Sequence, residues 1–374
     1  YCNRLVNEAL MERHAPVHIN VPISEPLFDF SVPVLPIERV IRRTEAVMSA
    51  ETKSEIVDRF FASEKAMLIE GRPMNPHYDE AVGMVMDDER YQPDFILYTG
   101  GAIVSKRLKQ FLRKAKDAET WVINCDGSVA DTFQNTTRVV QGDASDVVAE
   151  IRARMAASPM PFGQLWTALL AQAERHADEY EPPFSQMAAV KYFEQQLDDM
   201  YYDFEVHYGN SMAIRLANIY ARHHVWCNRG VNGIEGSLSA ACGMSVVTAG
   251  KVFCVLGDLS FFYDQNALWN QNLGGNLRIL LMNNGGGAIF RQLPGLEQSA
   301  AADRLVAAAH ITTAQGICTQ NDIGYLAARN MADMQLGIVQ LLTEERRRPM
   351  LLEVFTDADA DMHVYQSYLS SFQI

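Results

Sequence analysis

The chain has 374 residues, of which 48% are hydrophobic and 21% charged, with a formal net charge of −14. That length accommodates two or three domains of ordinary globular composition, and the excess of acid argues against nucleic acid as a partner. No apolar run reaches membrane-spanning length, so no membrane insertion is expected.

The opening stretch, Tyr1 to Arg13, reads as a helix met midway, and Pro16 to Pro22 as a buried strand closed by proline. Such a pair normally closes a domain, so residues 1–30 read as the end of a domain whose earlier part is not in this sequence. After the proline-spaced linker Pro33-Val34-Leu35-Pro36, Ile37 to Phe60 has a helical pattern. Strands are expected at Ala66–Gly71, Phe95–Thr99, Trp121–Cys125 and Thr137–Gln141, with a helix from about Val104 to Lys116. Strand and helix in alternation predict a small Rossmann-like domain over 31–158. Its Gly100-Gly101 turn has two readings, a phosphate loop or a tight turn, and the tight turn is favoured.

Pro159 and Pro161 mark the next boundary, and 159–374 reads as a further domain. Helices are expected over Phe162–Tyr180, which Pro182-Pro183 ends, and Phe184–Met200. From Phe204 the alternation of strand and helix resumes and closes with the strand Met350–Val354 and an acidic loop, Asp357 to Asp361. The fold class is α/β, with two doubly wound, mostly parallel sheets and the tail of a third domain. The cysteines, Cys2, Cys125, Cys227, Cys242, Cys254 and Cys318, form no C-x-x-C pair. They read as buried reduced thiols of a cytoplasmic protein rather than a disulfide frame or zinc site.

The chemistry concentrates in four loops. Val252–Leu256 runs into Gly257-Asp258-Leu259-Ser260, and Leu277–Met282 into Asn283-Asn284-Gly285-Gly286-Gly287, with one helix expected between them from Phe262 to Leu273. Polar residues at the carboxyl ends of parallel strands sit where open sheets bind ligands. A carboxylate, an amide oxygen and a backbone carbonyl form a half-shell for a hard cation that phosphate and water would complete, and glycines admit a diphosphate close to the backbone. The plainer alternatives are an N-cap for Asp258 and a turn for Asn-Gly. Upstream, Phe204–Tyr208 leads into Gly209-Asn210-Ser211, where a helix start offers an anion seat and Arg215 follows one turn later; the alternative is a Ser N-cap with a solvated arginine. Arg229 lies in the glycine-rich loop Asn228–Gly236, and arginine holds carboxylates with paired hydrogen bonds. Glu235 reads as a helix-start acid or a partner for one of these arginines.

Together, Gly-Asn-Ser-x3-Arg, Asn-Arg-Gly-x2-Gly-Ile-x-Gly, Gly-Asp-Leu-Ser and Asn-Asn-x-Gly-Gly-x-Ile-Phe resemble the thiamine-diphosphate enzymes. The resemblance is closest to the 2-succinyl-5-enolpyruvyl-6-hydroxy-3-cyclohexene-1-carboxylate synthases of menaquinone biosynthesis, and it extends over nearly the whole chain. Val17 to Leu27 resembles the end of that family's pyrimidine-binding domain, and Ser105-Lys106-Arg107-Leu108 a basic pair of its central domain. The resemblance implies thiamine diphosphate and Mg2+, or Mn2+, as cofactors. Asp258, Asn284 and the Gly286 carbonyl would hold the metal. Asn210, Gly257, Leu259, Ser260 and Gly287 would bind the cofactor, and Ile234 would prop it in its bent form. Ile289, Phe290 and Leu293 would form an apolar wall, the alternative for the first two being ordinary core. Ser211, Arg215 and Arg229 would hold the acids of 2-oxoglutarate. Lys106 and Arg107 would reach isochorismate, although a Lys-Arg pair on a helix is otherwise a solvated face.

The implied reaction is decarboxylation of 2-oxoglutarate and conjugate addition of the resulting carbanion to isochorismate, in a homodimer or homotetramer. The family's third Asn is replaced here by Gly285. The family's activating glutamate belongs to an N-terminal domain and is matched by no residue here, so this chain alone is expected to be inactive. The alternatives are another thiamine-diphosphate 2-oxoacid lyase, or a non-catalytic module that binds a magnesium diphosphate.

Overall fold

The computed structural model describes residues 20, 34, 47–71, 77–101, 103, 105–129, 131–228, 233–292, 299 and 301–372. The closing helix and strand expected before residue 30 lie outside this set, as do the Pro33–Pro36 prolines. Two compact units emerge: Tyr1–Met74 with Val85–Thr167, and Asn75–Met84 with Ala168–Ile374.

In the first unit, helix α1 (Ala50–Phe61) starts at Ser49, whose Oγ accepts the Thr52 N–H at 3.1 Å. The expected strands form as β1 (Ala66–Glu70), β2 (Phe95–Thr99), β3 (Glu119–Asn124) and β4 (Thr136–Gln141). They pair in parallel and in chain order. A Cβ on Gly71 would lie 2.0 Å from the Gly101 carbonyl oxygen, and Gly100 has φ +85°. These glycines are required by the close approach of two strand ends. Helices α3 (Lys106–Lys114) and α4 (Ser145–Ala157) flank the sheet, and Phe60, Phe95, Trp121 and Ile151 fill its core.

The helix between β1 and β2, α2 (Tyr78–Met84), was not signalled by the sequence and belongs to the second unit. His77 N–H donates to the Asn218 carbonyl at 3.2 Å, and buried Glu80 accepts the Tyr368 hydroxyl.

The second unit is built on six parallel strands: β5 (Phe204–Tyr208), β6 (Val225–Cys227), β7 (Lys251–Gly257), β8 (Leu277–Asn283), β9 (Gly324–Ala328) and β10 (Met350–Phe355). Their order is β6-β5-β7-β8-β10-β9. Alternate side chains serve opposite faces, as the period of a strand dictates. Val206, Tyr208, Phe253, Val255, Leu280 and Leu352 join one core, with helices α6 (Gln186–Asp198), α7 (Met212–Tyr220) and α11 (Met331–Thr343). Val252, Cys254, Leu256, Ile279, Leu281 and Leu351 join another, with α8 (Ser237–Val247) and α10 (Gln315–Gln320). Both faces are covered, which is why β7 reads as a continuous apolar run and β8 as one broken by the buried Arg278. Helix α5 (Pro161–Glu179) lies where its proline start predicts.

Three expectations are corrected. The helical pattern expected over Ile37–Phe60 is interrupted, since residues 47–49 are not helical and Ser49 caps a helix that starts at Ala50. Phe262–Leu273 is not one helix: α9 (Asp258–Asp264) begins at the aspartate itself and passes into a 3-10 stretch, Gln265–Trp269. Asp264 turns its carboxylate onto the N–H and hydroxyl of Ser239, capping α8. Asp357–Asp361 is not a loop but the cap and first turn of α12 (Ala358–Ser371). Asp357 Oδ1 accepts the N–H groups of Asp359 and Ala360, and acids are favoured at that end of a helix.

Of the described cysteines, Cys242, Cys254 and Cys318 are buried as expected, while Cys227 is half-buried and Cys125 exposed; none of them forms a disulfide. Burial pushes the Cys242 and Cys318 thiols up to about 12, which keeps them unreactive. No helix among the described residues is long and apolar enough to cross a membrane.

His223 Nε2 stands 2.8 Å from Glu194 Oε2, while Glu194 Oε1 accepts the Tyr208 hydroxyl. Burial pushes the imidazole pKa down, but the Glu194 hydrogen bond and charge outweigh it and raise the pKa above 6.5. A raised histidine contributes stability that is complete below its unfolded pKa and lost as pH rises through its folded one. His223→Gln is therefore expected to flatten the melting temperature against pH across that window. An unchanged profile would show that the pair carries no such linkage.

Candidate functional site

The order of strands reverses at β5: β6 lies on one side of it and β7 on the other. A crevice opens at the carboxyl ends of strands at such a switch point, and the loops after β5, β7 and β8 meet there. Gly209 N–H donates to the Val255 carbonyl at 2.8 Å, and a Cβ on Gly209 would lie 2.9 Å from that of Leu256. Asn210 is buried; its Nδ2 donates to the Asn228 carbonyl at 2.6 Å and to that of Gly233. It thereby holds the loop that carries half-buried Ile234. Ser211 has φ +70° and ψ −126° and makes no capping bond with its side chain. It is therefore not a plain N-cap; its backbone is held in a conformation that costs on the order of 1–3 kcal/mol, a kind of strain that clusters at functional sites. Arg215, one turn along α7, is exposed and has no ion pair among the described residues.

Asp258 follows β7 directly, as the first residue of α9, and is 3% exposed. Its Oδ1 accepts the Leu259 N–H at 2.7 Å, and its Oδ2 accepts those of Gly285 at 2.8 Å and Gly286 at 2.9 Å. The carboxylate is thus more than a cap of its own helix: it ties the end of β7 to the glycine run after β8. Burial pushes its pKa up from the ordinary carboxylate range, while these N–H groups and His310 pull it down. His310 Nε2 stands 3.3 Å from Oδ2, without hydrogen-bond geometry. Its Nδ1 accepts the Thr312 N–H at 3.1 Å, which places a proton on Nε2. Gly257 and Leu259 are half-buried on either side, and Ser260 is buried.

The glycine run is close-packed. Gly285 and Gly286 have φ +80° and +148°. The Gly285 carbonyl accepts the His310 N–H at 2.9 Å, and Gly287 N–H donates to the Ala307 carbonyl at 2.7 Å. A Cβ on Gly286 would lie 2.7 Å from the Ala307 oxygen, and one on Gly287 2.8 Å from the Phe290 ring. Ile289 is half-buried and Phe290 39% exposed, so neither is ordinary core.

The donor set fits a hard divalent cation. Among the described residues no group of three or more His, Cys, Asp or Glu could hold a metal, so a cation here would depend on few protein oxygens. Asp258 Oδ1 carries one N–H donor and keeps acceptor capacity. Asn284 donates its Nδ2 to Asp361 Oδ2 at 3.0 Å, which leaves its amide oxygen as the end for a metal. The Gly286 carbonyl accepts the Ala288 N–H at 3.1 Å and has a second lone pair. One carboxylate and two neutral oxygens suit magnesium when phosphate and water complete the shell.

No protein-family model matches the chain. Among curated proteins, the chain is 32% identical to the 2-succinyl-5-enolpyruvyl-6-hydroxy-3-cyclohexene-1-carboxylate synthase of Phocaeicola vulgatus, over 98% of the chain and 73% of that protein. It is 34% identical to the same-named protein of Bacteroides fragilis, with the same shares covered. The counterpart in Bacteroides thetaiotaomicron is also 34% identical over those shares. The chain belongs to the 2-succinyl-5-enolpyruvyl-6-hydroxy-3-cyclohexene-1-carboxylate synthase family. It is therefore a member of an enzyme family of synthases, on an α/β fold of two parallel sheets.

Within this synthase, Arg229 and Leu293 lie outside the described residues. Lys106 and Arg107 stand in the first unit, as the first two residues of α3, behind the Ser105 cap whose Oγ accepts the Leu108 N–H at 3.0 Å. Lys106 is exposed and Arg107 half-buried. Two cations at the positive end of a helix dipole oppose it by about 0.3–1 kcal/mol each, an arrangement that a bound anion would relieve.

Sequence reasoning missed His310, Glu353 and Asp361. Glu353 is fully buried in β10 and accepts Asn283 Nδ2 at 2.7 Å, the Ala314 N–H at 3.0 Å and the Tyr325 hydroxyl at 2.7 Å. A glutamate inside Leu351-Leu352-Glu353-Val354 was the available signal. Burial pushes the Asp361 carboxyl up to about 6, against the Thr356 hydroxyl, the Gln186 N–H and the Asn284 amide, which pull it down.

Gly286→Ala places a methyl against the Ala307 carbonyl in a backbone conformation that alanine resists. It is expected to cost about 1–3 kcal/mol, visible as a lower melting temperature. A melting temperature equal to that of the unsubstituted chain would show that the loop relaxes freely.

Proposed function

We propose that the second unit binds thiamine diphosphate through Mg2+, or Mn2+, and serves decarboxylation of 2-oxoglutarate followed by conjugate addition to isochorismate. The observation that carries this reading is the contact of the Asp258 carboxylate with the Gly285 and Gly286 N–H groups, beside a switch point of the sheet. It puts the candidate metal oxygens of two loops within one hydrogen-bonded cluster.

In this reading Asp258, Asn284 and the Gly286 carbonyl hold the metal. Asn210, Gly257, Leu259, Ser260 and Gly287 bind the cofactor, and Ile234 props it. When bound, the cofactor supplies the electron sink that lets a 2-oxoacid lose carbon dioxide. Ile289, Phe290 and Leu293 exclude water from the reacting centre, and exposure of Phe290 fits a side chain that waits for a ligand to cover it. Ser211, Arg215 and Arg229 bind the carboxylates of 2-oxoglutarate. The exposed guanidinium of Arg215, with no ion pair among the described residues, favours that acid over pyruvate, which has no second carboxylate to pair with it. Lys106 and Arg107 bind isochorismate. Helices α8 and α9 and the 3-10 stretch after them each expose an apolar side chain, Val247, Tyr263 and Trp269, which a homo-oligomer would give a means to cover.

Calorimetric titration with thiamine diphosphate and Mg2+ tests the reading. The unsubstituted chain is expected to bind, and Asp258→Asn, which removes the charge and turns a donor to either the Leu259 N–H or the glycine N–H groups, to lose binding by at least tenfold. Equal binding by a folded Asp258→Asn chain would overturn the metal assignment.

A further inference from the structure

We infer that Asp361 is a positioning residue that sets which end of the Asn284 amide faces the metal; the inference rests on the metal site proposed above. Asp361 is 5% exposed at the first turn of α12, far in sequence from both metal loops. Its Oδ2 accepts Asn284 Nδ2 at 3.0 Å and the Thr356 hydroxyl at 2.6 Å, and its Oδ1 accepts the Gln186 N–H at 2.8 Å.

An asparagine amide presents either an acceptor or a donor, depending on a half-turn of its last torsion, and only the oxygen can ligate a cation. A carboxylate is an acceptor only, so it selects the orientation in which nitrogen points to Asp361 and oxygen points away. The carboxylate is itself held by donors from two other elements, the β10 exit and the start of α6, so it cannot follow Asn284 if the amide turns. A neutral amide at position 361 has one acceptor end, which the Gln186 N–H would claim, so its nitrogen would face Asn284 and favour the opposite orientation of that amide. Outer partners of metal ligands act in this way, and their loss typically costs 10–100-fold in metal affinity.

The test is Mn2+ affinity, read by the loss of free-ion signal in electron paramagnetic resonance, in the presence of thiamine diphosphate. Asp361→Asn is expected to weaken Mn2+ by at least tenfold, and Asn284→Ala by a similar or larger factor. The double variant is expected to be no weaker than Asn284→Ala alone, because Asp361 acts only through that amide. Thr356→Val, which keeps the carboxylate and removes one of its anchors, is expected to produce a smaller loss and guards against a poorly folded Asp361→Asn. Unchanged affinity in both Asp361→Asn and Thr356→Val, with Asn284→Ala weakened, would overturn the positioning role and leave the metal site standing. Losses that add in the double variant would mark Asp361 as a general structural residue. Unchanged affinity in Asn284→Ala would overturn the metal site and this inference with it.

Discussion

The tie between Asp258 and the glycine run is the interaction on which the rest of the second unit's crevice depends. β7 and β8 are neighbours in register, Gly257 opposite Met282, but register alone leaves the loops beyond them free to diverge. One buried carboxylate prevents that by collecting N–H groups from its own helix and from Gly285 and Gly286. Gly285 N–H also reaches Asn283 Oδ1 at 3.1 Å, whereas Gly286 N–H would lose its acceptor in a half-buried turn, at a cost of about 1–3 kcal/mol. The arrangement therefore satisfies the backbone first and places oxygens for a ligand second.

Around that tie runs a wider set of buried carboxylates. Glu353 holds Asn283, Asp361 holds Asn284, and Asp264 caps α8. Between them they spend their acceptors on side-chain amides, hydroxyls and backbone N–H groups. Buried acids fully paired with donors rigidify their surroundings. Here they fix two consecutive asparagines from two different elements, so the loop after β8 is held from both sides.

Much of the fold was legible because it rests on local pattern. The apolar runs Val252–Leu256 and Leu277–Met282 announce strands covered on both faces, and prolines and capping serines place the helix starts. The misreadings have local causes too: Asp264 reads as a residue inside one long helix and Asp357 as a loop residue until their capping bonds to Ser239 and to Asp359 and Ala360 are seen. At the site, Gly257-Asp258 and Asn283–Gly287 stood out through composition and place. Asp361 and His310 did not, because their meaning arises only from contacts with Asn284 and Asp258, which lie far from them along the chain. No spacing rule reaches across such distances. The strained backbone at Ser211 was equally invisible, since serine before a helix ordinarily reads as a cap.

The excursion of α2 has a consequence for how this protein can be cut. The second unit includes Asn75–Met84, which is translated before most of the first unit. Its Glu80 is the acceptor of the buried Tyr368 hydroxyl, near the very end of the described chain. A fragment begun at Ala168 would leave that phenol without its partner and uncover the helices on which α2 rests. The larger sheet is therefore not a portable cassette: any excision that keeps it whole must carry along a short piece lodged inside its neighbour's sequence.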